Sequence, residues 1–178
     1  MFPAAACAGV VYLVRDPRDV AVSLAHHLPC PVDQAIARMA DDACTLARRD
    51  GRLKHQVPQR LTSWSGHVTS WRDAPDLRLC VIRYEDMLAD LAAVLRRIGD
   101  FLALPVPAGA AAAAVEATGF ARLQAQERQS GFVQRRPGVA SFFRRGIAGG
   151  WRDSLSPAQV ERLVADHGAV MARLGYPP

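Results

Sequence analysis

Lysine is almost missing from this 178-residue chain: Lys54 is the only one among 22 basic residues. A glycine-rich phosphate loop closed by a lysine is absent with it. Cysteine is scarce too. Cys7, Cys30, Cys44 and Cys80 form no C-x-x-C pair and no zinc-like spacing with the five histidines, which excludes a zinc module and a disulfide framework. The expectation is reduced, mostly buried thiols in a cytoplasmic protein, with no metal. Long apolar runs are also lacking. The opening MFPAAACAGVVYLV has no basic leader and is stopped by Arg15 far short of a membrane span, so neither export nor anchoring is expected. There are no internal repeats, and the only biased tract is the short run Ala110 to Ala114. The excess of 22 basic over 17 acidic residues is scattered. No basic tail or stripe points to nucleic acid, and a compact anionic ligand suits the balance better.

What is present is arginine, the planar fork that grips phosphate or sulfate through two hydrogen bonds. The same excess beside abundant alanine also fits a genomic compositional bias. Half the residues are apolar, enough for one domain with a real core over residues 1–178. The periodicities predict an α/β fold. Val10 to Val14 reads as a strand buried on both faces. Asp16 can cap the next helix, Pro17 suits its first turn, and Asp19 favours its positive end. A second helix is expected from Asp33 as cap to about Arg49, with Ile36, Met39, Ala43 and Leu46 on one face, then a polar loop from Arg48 to Pro58. Leu61, Trp64, Val68 and Trp71 predict an amphipathic helix over Arg60 to Asp73, closed by Pro75.

LRLCVIRYEDM repeats the strand–turn–helix theme, with a strand at 77–82 and a helix whose Leu88, Leu91, Leu95, Ile98 and Leu102 recur at three and four. Two strands separated by helices imply parallel pairing. Ala108 to Gln126 should be helical with a break near Thr118-Gly119. Gln129 to Gly150 has no clear period and should be a long loop, of the kind that is functional when ordered. Ser156-Pro157-Ala158-Gln159 is a capping-box pattern opening a helix that buries Val160, Leu163, Val164 and Met171 and stops at Gly175.

Ligands of an open α/β sheet bind beyond the carboxyl ends of its strands, where helix N-termini converge. Arg15 sits at such an end and Ser23 on the helix leaving it, an arrangement that suits a phosphate. On spacing alone, Arg15 pairing with Asp19 while Ser23 faces the sheet is a slightly better account. The loop segment SFFRRGIAGGW adds weight to the phosphate. Arg144 and Arg145, followed by Gly146, offer two forks plus backbone amides that approach an anion closely.

VVYLVRDPRDVAVS resembles the 3′-phosphate-binding segment of the cytosolic-type sulfotransferases, and SFFRRGIAGGWRDSLSPAQ resembles their carboxyl-terminal Arg-Lys-Gly loop. WSGHVTSWRD and VIRYEDMLADLAAVLRRIGDFL are similar to the segments between, in the same order, from about Val10 to Tyr176. The resemblance implies a partial P-loop-NTPase-like three-layer fold, with parallel strands at about 10–14 and 77–82 flanked by helices. It implies that 3′-phosphoadenosine 5′-phosphosulfate (PAPS) is the cosubstrate and 3′-phosphoadenosine 5′-phosphate (PAP) its product. Arg15 and Ser23 would grip the 3′-phosphate with Arg144, Arg145 and the amide of Gly146. Tyr84 would contact the adenine, and Thr118 and Phe120 match a Thr-x-Phe pattern whose ring stacks on the base.

The family's phosphosulfate loop, its lysine and its catalytic histidine lie upstream of the motif that begins this chain. The chain thus resembles roughly the last three-fifths of such an enzyme, and Met1 is expected to be an internal methionine or the start of a true truncation. Lost strands should leave apolar edges exposed. His67 reads as a core or boundary residue, His26 as a candidate for acceptor binding, His27 and His167 carry no signal, and Trp151 reads as loop packing. Arg145 stands where the family has lysine, and Gly150 where it has aspartate. The expected activity is sulfuryl transfer to a hydroxyl or amine of a small-molecule acceptor. The alternative is a non-catalytic module that binds the nucleotide or pairs with another subunit. The segment matching the family's dimer motif, Arg152 to Glu161, is poorly kept, so no oligomeric state is assigned.

Overall fold

In the computed structural model, which describes residues 7–46, 58–136 and 138–178, the elements in chain order are β1 (Val10–Val14), α1 (Pro17–His27), α2 (Val32–Ala40), β2 (Thr45–Leu46), β3 (Gln59–Arg60), α3 (Trp64–Arg72), β4 (Leu79–Arg83), α4 (Tyr84–Ala89), α5 (Leu91–Leu102), α6 (Ala108–Ala117), α7 (Phe120–Ser130), a 3₁₀ turn (Gly150–Asp153) and α8 (Pro157–Arg173). They group into two compact units. One holds the residues up to Arg15 together with Pro75–Gly150, and the other holds Asp16–Ala74 with Trp151–Pro178. None of the described helices is long and apolar enough to cross a membrane.

In the first unit β1 and β4 pair in parallel, with Val10 opposite Leu79 and Val14 opposite Arg83, as the strand–helix alternation requires. The second strand lies two residues further on than its apolar run suggests at the start and one further at the end. Cys80, Ile82 and Val94 form the buried core, with Val11, Met87, Ile98 and Phe101 packed against it. Arg78 ties the beginning of the sheet together. Its Nη1 donates to Ala8 O at 2.9 Å and its Nη2 to Phe101 O at 2.9 Å. β1 departs from the expected two-sided burial: Val14 is buried, but Leu13 is 61% exposed. Successive side chains of a strand point to opposite faces, and at Leu13 the described residues leave that face open.

The helix after β4 is two helices, because Asp90 ends α4 through its own N–H to Asp86 O and caps α5 by accepting from Ala93 N at 2.8 Å. The break at Thr118-Gly119 is where it was expected, with Gly119 as N-cap, although α7 continues past Gln126 to Ser130. From Gly131 to Gly149 no described residue is in a helix or strand, which matches the predicted loop.

The second unit is built on α1. Asp16 caps it by accepting from Arg18 N at 2.9 Å, and Pro17 occupies the first turn. The same carboxylate holds the Arg18 guanidinium in a fork, with Nε to Oδ1 at 3.0 Å and Nη2 to Oδ2 at 2.8 Å. Arg18 also donates to Pro177 O at 2.8 Å and lies over the Trp151 ring, 4.2 Å from its centroid. Ala21, Ile36, Met39 and Leu163 make the core beneath, lined by Val20, Leu24, Val32, Trp64 and Leu155. Trp151 therefore packs as expected.

Two helices of this unit, α2 and α3, differ from the sequence reading in their boundaries. α2 has Pro31, not Asp33, as its N-cap and ends at Ala40 rather than near Arg49. Asp41 turns the chain there, its Oδ1 accepting from Ala43 N at 2.8 Å and its carbonyl from Cys44 N at 3.0 Å, a side-chain turn that outcompetes helix continuation. Leu46 then pairs antiparallel with Gln59 across β2 and β3, so Ala43 and Leu46 leave the helical face. Arg60 belongs to β3, and α3 starts at Trp64 behind a Ser63 cap that accepts from Gly66 N at 3.0 Å. The polar segment expected at 48–58 lies, except for Pro58, outside the described residues. The capping box at Ser156 and Gln159 forms with both reciprocal bonds, Leu163 and Met171 are buried, and Gly175 takes a positive φ of 75° beyond the helix end. The four cysteines are free; Cys44 and Cys80 are buried, and Cys7 and Cys30 are half-buried.

Arg18 and Asp16 are 3% and 7% exposed, so removing one partner leaves a buried charge, at a cost of about 3–5 kcal/mol. Arg18→Ala should therefore lower the urea midpoint steeply, whereas Arg173→Ala, which breaks the exposed pair with Asp73, should barely move it. Equal shifts in the two variants would show that the Asp16–Arg18 pair is not an anchor.

Candidate functional site

Of the eight residues singled out for an anion or a base, seven belong to the first unit: Arg15, Tyr84, Thr118, Phe120, Arg144, Arg145 and Gly146. Arg15 follows β1, and Tyr84 is the first residue of α4, directly after β4. Because β1 and β4 run parallel in register, both strands end on the same side. The Arg15 guanidinium lies over the Tyr84 ring, 4.5 Å from its centroid, a cation–π contact that holds the fork flat. Its Nη2 donates to Ile147 O at 2.8 Å. The strand end and the long loop thus meet at Arg15.

Arg144 and Arg145 are exposed on that loop. Burial first, then the positive charges of Arg145 and Arg15, push the Arg144 guanidinium below its usual range. Arg144 therefore feels the other two as repulsion, which an anion placed among them would relieve while accepting their forks.

Gly146 joins the cluster for a steric reason. Its φ is +61°, and a Cβ placed on it would fall inside the van der Waals shell of the Phe120 ring. The ring lies directly on the loop backbone, where only glycine leaves room. Phe120 also meets Phe143 edge-on at 6.4 Å, and Phe143 packs with Phe142 and Phe132 at 5.2 Å and 5.0 Å.

The face of α7 explains how an irregular loop comes to be held. Phe120, Gln124 and Glu127 recur at four and three, one stripe of a helix. Phe120 meets Gly146, Gln124 Nε2 donates to Phe143 O at 2.8 Å, and the buried Glu127 carboxylate accepts from Phe142 N at 2.7 Å, Phe143 N at 3.0 Å and Ser141 Oγ at 3.1 Å. These bonds hold the Glu127 carboxyl below the ordinary glutamate range, the Phe142 amide contributing most.

Gln124 and Glu127 were not singled out from sequence. The available signal was the four-then-three spacing from Phe120, hidden because the helix was expected to end before Glu127.

Two predicted residues stand apart. Thr118 is exposed at the end of α6, and its hydroxyl donates to Ala114 O at 2.7 Å. Ser23 is exposed on α1 in the second unit, so it is not packed beneath a sheet. Asp19 is buried there and accepts from Trp151 N at 3.0 Å. His26 is exposed on the last turn of α1, and His67 is half-buried with its imidazolium disfavoured by desolvation. His167, which carried no sequence signal, is buried on α8 with Nδ1 2.9 Å from Ser65 Oγ. It helps to line a cavity of about 380 Å³ in the second unit, with Asp42, Ser63, Thr69 and Asp166. Among the described residues no group of three His, Cys, Asp or Glu side chains could hold a metal ion.

Residues 6–175 match the family model described as the sulfotransferase domain. The chain is 31% identical over 162 residues to human Sulfotransferase 2B1, covering 86% of this chain and 42% of that protein. It is 29% identical over 167 residues to Cytosolic sulfotransferase 14 of Arabidopsis thaliana, covering 88% and 46%. Among solved structures it is similar to mouse sulfotransferase SULT7A1 complexed with PAP, at TM-score 0.66 and 22% identity, covering 92% of this chain and 58% of that one. It is also similar to retinol dehydratase in complex with androsterone and inactive cofactor PAP, at TM-score 0.66 and 25% identity, covering 92% and 47%. The chain spans about half the length of the relatives it matches.

A depressed carboxyl pKa adds stability above the unfolded pKa and loses it as pH falls through the folded one. The stability difference between the unaltered chain and Glu127→Gln should therefore be largest near pH 7 and shrink as pH falls below the ordinary glutamate range, to about pH 3. Urea midpoints at the two pH values check this. A difference that stays constant would show that the Glu127 charge does not hold the loop.

Proposed function

Because the chain belongs to the sulfotransferase domain family, we propose that it carries the 3′-phosphoadenosine half-site of an enzyme that moves a sulfuryl group from PAPS to a hydroxyl or amine of a small-molecule acceptor. The observation that carries this reading is the convergence of Arg15, Arg144 and Arg145 at one strand end and loop, beside the Phe120 ring on Gly146. A phosphate needs forked cations and open backbone amides, and an adenine needs an aromatic face; the first unit offers both. The relatives crystallised with PAP support the choice of nucleotide.

In this reading Arg15, Arg144, Arg145 and the Gly146 amide take the 3′-phosphate, while Tyr84 and Phe120 take the adenine. Thr118 joins the adenine side at the α6 end. The nucleotide supplies the activated sulfuryl group; this chain's residues bind and orient it. No residue of the transfer step is assigned among the described residues. One family model spanning 6–175 supports treating both units as parts of a single sulfotransferase domain.

Arg15→Ala should weaken PAP binding by about 1.5–3 kcal/mol, the scale of a charged hydrogen bond. Adenosine 5′-monophosphate, which lacks the 3′-phosphate, should be nearly indifferent to the change. Calorimetric titration of both nucleotides reads this directly, and an equal loss for the two would refute the assignment of Arg15 to the 3′-phosphate.

A further inference from the structure

One charged group on the loop-facing stripe of α7 is not used by the functional reading. Glu127 is 6% exposed, and a buried carboxylate persists only where donors replace its water. Its donors are three consecutive residues, Ser141, Phe142 and Phe143, immediately before Arg144. The Arg135 guanidinium stands at 3.9 Å as a further counter-charge. Gln124, one turn away, takes the Phe143 carbonyl, so the backbone just ahead of the two arginines is held from both its donor and its acceptor side.

We propose that Glu127 is a positioning residue for anion recognition: by clamping Ser141–Phe143 to α7 it sets where the Arg144 and Arg145 forks stand, and so governs selectivity for a 3′-phosphorylated nucleotide. The proposal rests on the nucleotide reading above. A negative charge close to an anion site would ordinarily oppose binding. Here its lone pairs are directed at backbone amides and a hydroxyl, so its effect on the ligand acts through the loop.

A purely structural Glu127 would affect all ligands alike, so selectivity is the discriminating readout. Glu127→Gln keeps the shape but offers one acceptor oxygen where two are used. In that variant, amide hydrogen exchange at Phe142 and Phe143 should quicken at least tenfold while Val81 in β4 is unchanged. The ratio of PAP to adenosine 5′-monophosphate affinity should fall about tenfold. Ser141→Ala, which removes one of the three donors, should lower the ratio two- to threefold and serves if Glu127→Gln does not fold.

Faster exchange with an unaltered ratio would overturn the proposal, leaving Glu127 a structural residue. Unchanged exchange would overturn it too, since the clamp would not exist. If the unaltered chain shows no preference for PAP, the nucleotide reading itself fails and the selectivity role falls with it, an outcome distinct from either of the others.

Discussion

The second unit depends on the buried ion pair of Asp16 and Arg18. Burying two charges is costly, and such a pair persists only when its geometry is good and the remaining hydrogen-bonding groups are satisfied. Both conditions hold. Asp16 uses its carboxylate at once as helix cap and as partner of the fork, and Arg18 spends its other contacts on the Pro177 carbonyl and the Trp151 ring. Two stretches distant in sequence are thereby joined to the start of α1: the 3₁₀ turn and the carboxyl-terminal tail. Pro17 and the cap set the helix direction, and the core of Ala21, Ile36, Met39 and Leu163 follows from the face that α1 then presents.

The first unit solves a different problem with a similar device. A long loop without regular structure must place two arginines reproducibly, and its backbone groups need partners that a sheet or helix would normally provide. α7 supplies them through one stripe of side chains, an aromatic ring against a glycine, an amide to a carbonyl and a carboxylate to two amides and a hydroxyl. The price of a buried charge at Glu127 is thus set against an ordered backbone immediately ahead of Arg144 and Arg145.

How much of this was legible in the sequence follows from how far each signal reaches along the chain. The Asp16 cap, the Ser156–Gln159 capping box, the Thr118-Gly119 break and β1 are local, and each forms where its residues say, while β4 is displaced by one to two residues from its apolar run. α2 ends early because Asp41 turns the chain and Leu46 finds a partner in Gln59, a pairing that helical periodicity does not encode. Glu127 and His167 were missed for the same reason: their partners lie 14 to 16 and 102 residues away, and a lone acidic or imidazole side chain carries no sign of them. The arginines were legible because residue type narrows their chemistry so strongly. Their meeting with Tyr84 and Ile147 required the fold.

The central claim is that strand end and loop together make a site for a 3′-phosphorylated adenine nucleotide. Isothermal titration of the unaltered 178-residue chain with PAP, beside adenosine 5′-monophosphate, tests it most directly. Saturable binding of PAP is expected, at least about tenfold tighter than that of the monophosphate, with the preference fading as salt screens the arginines. A chain that is folded by circular dichroism yet binds the two nucleotides equally, or neither, would contradict it.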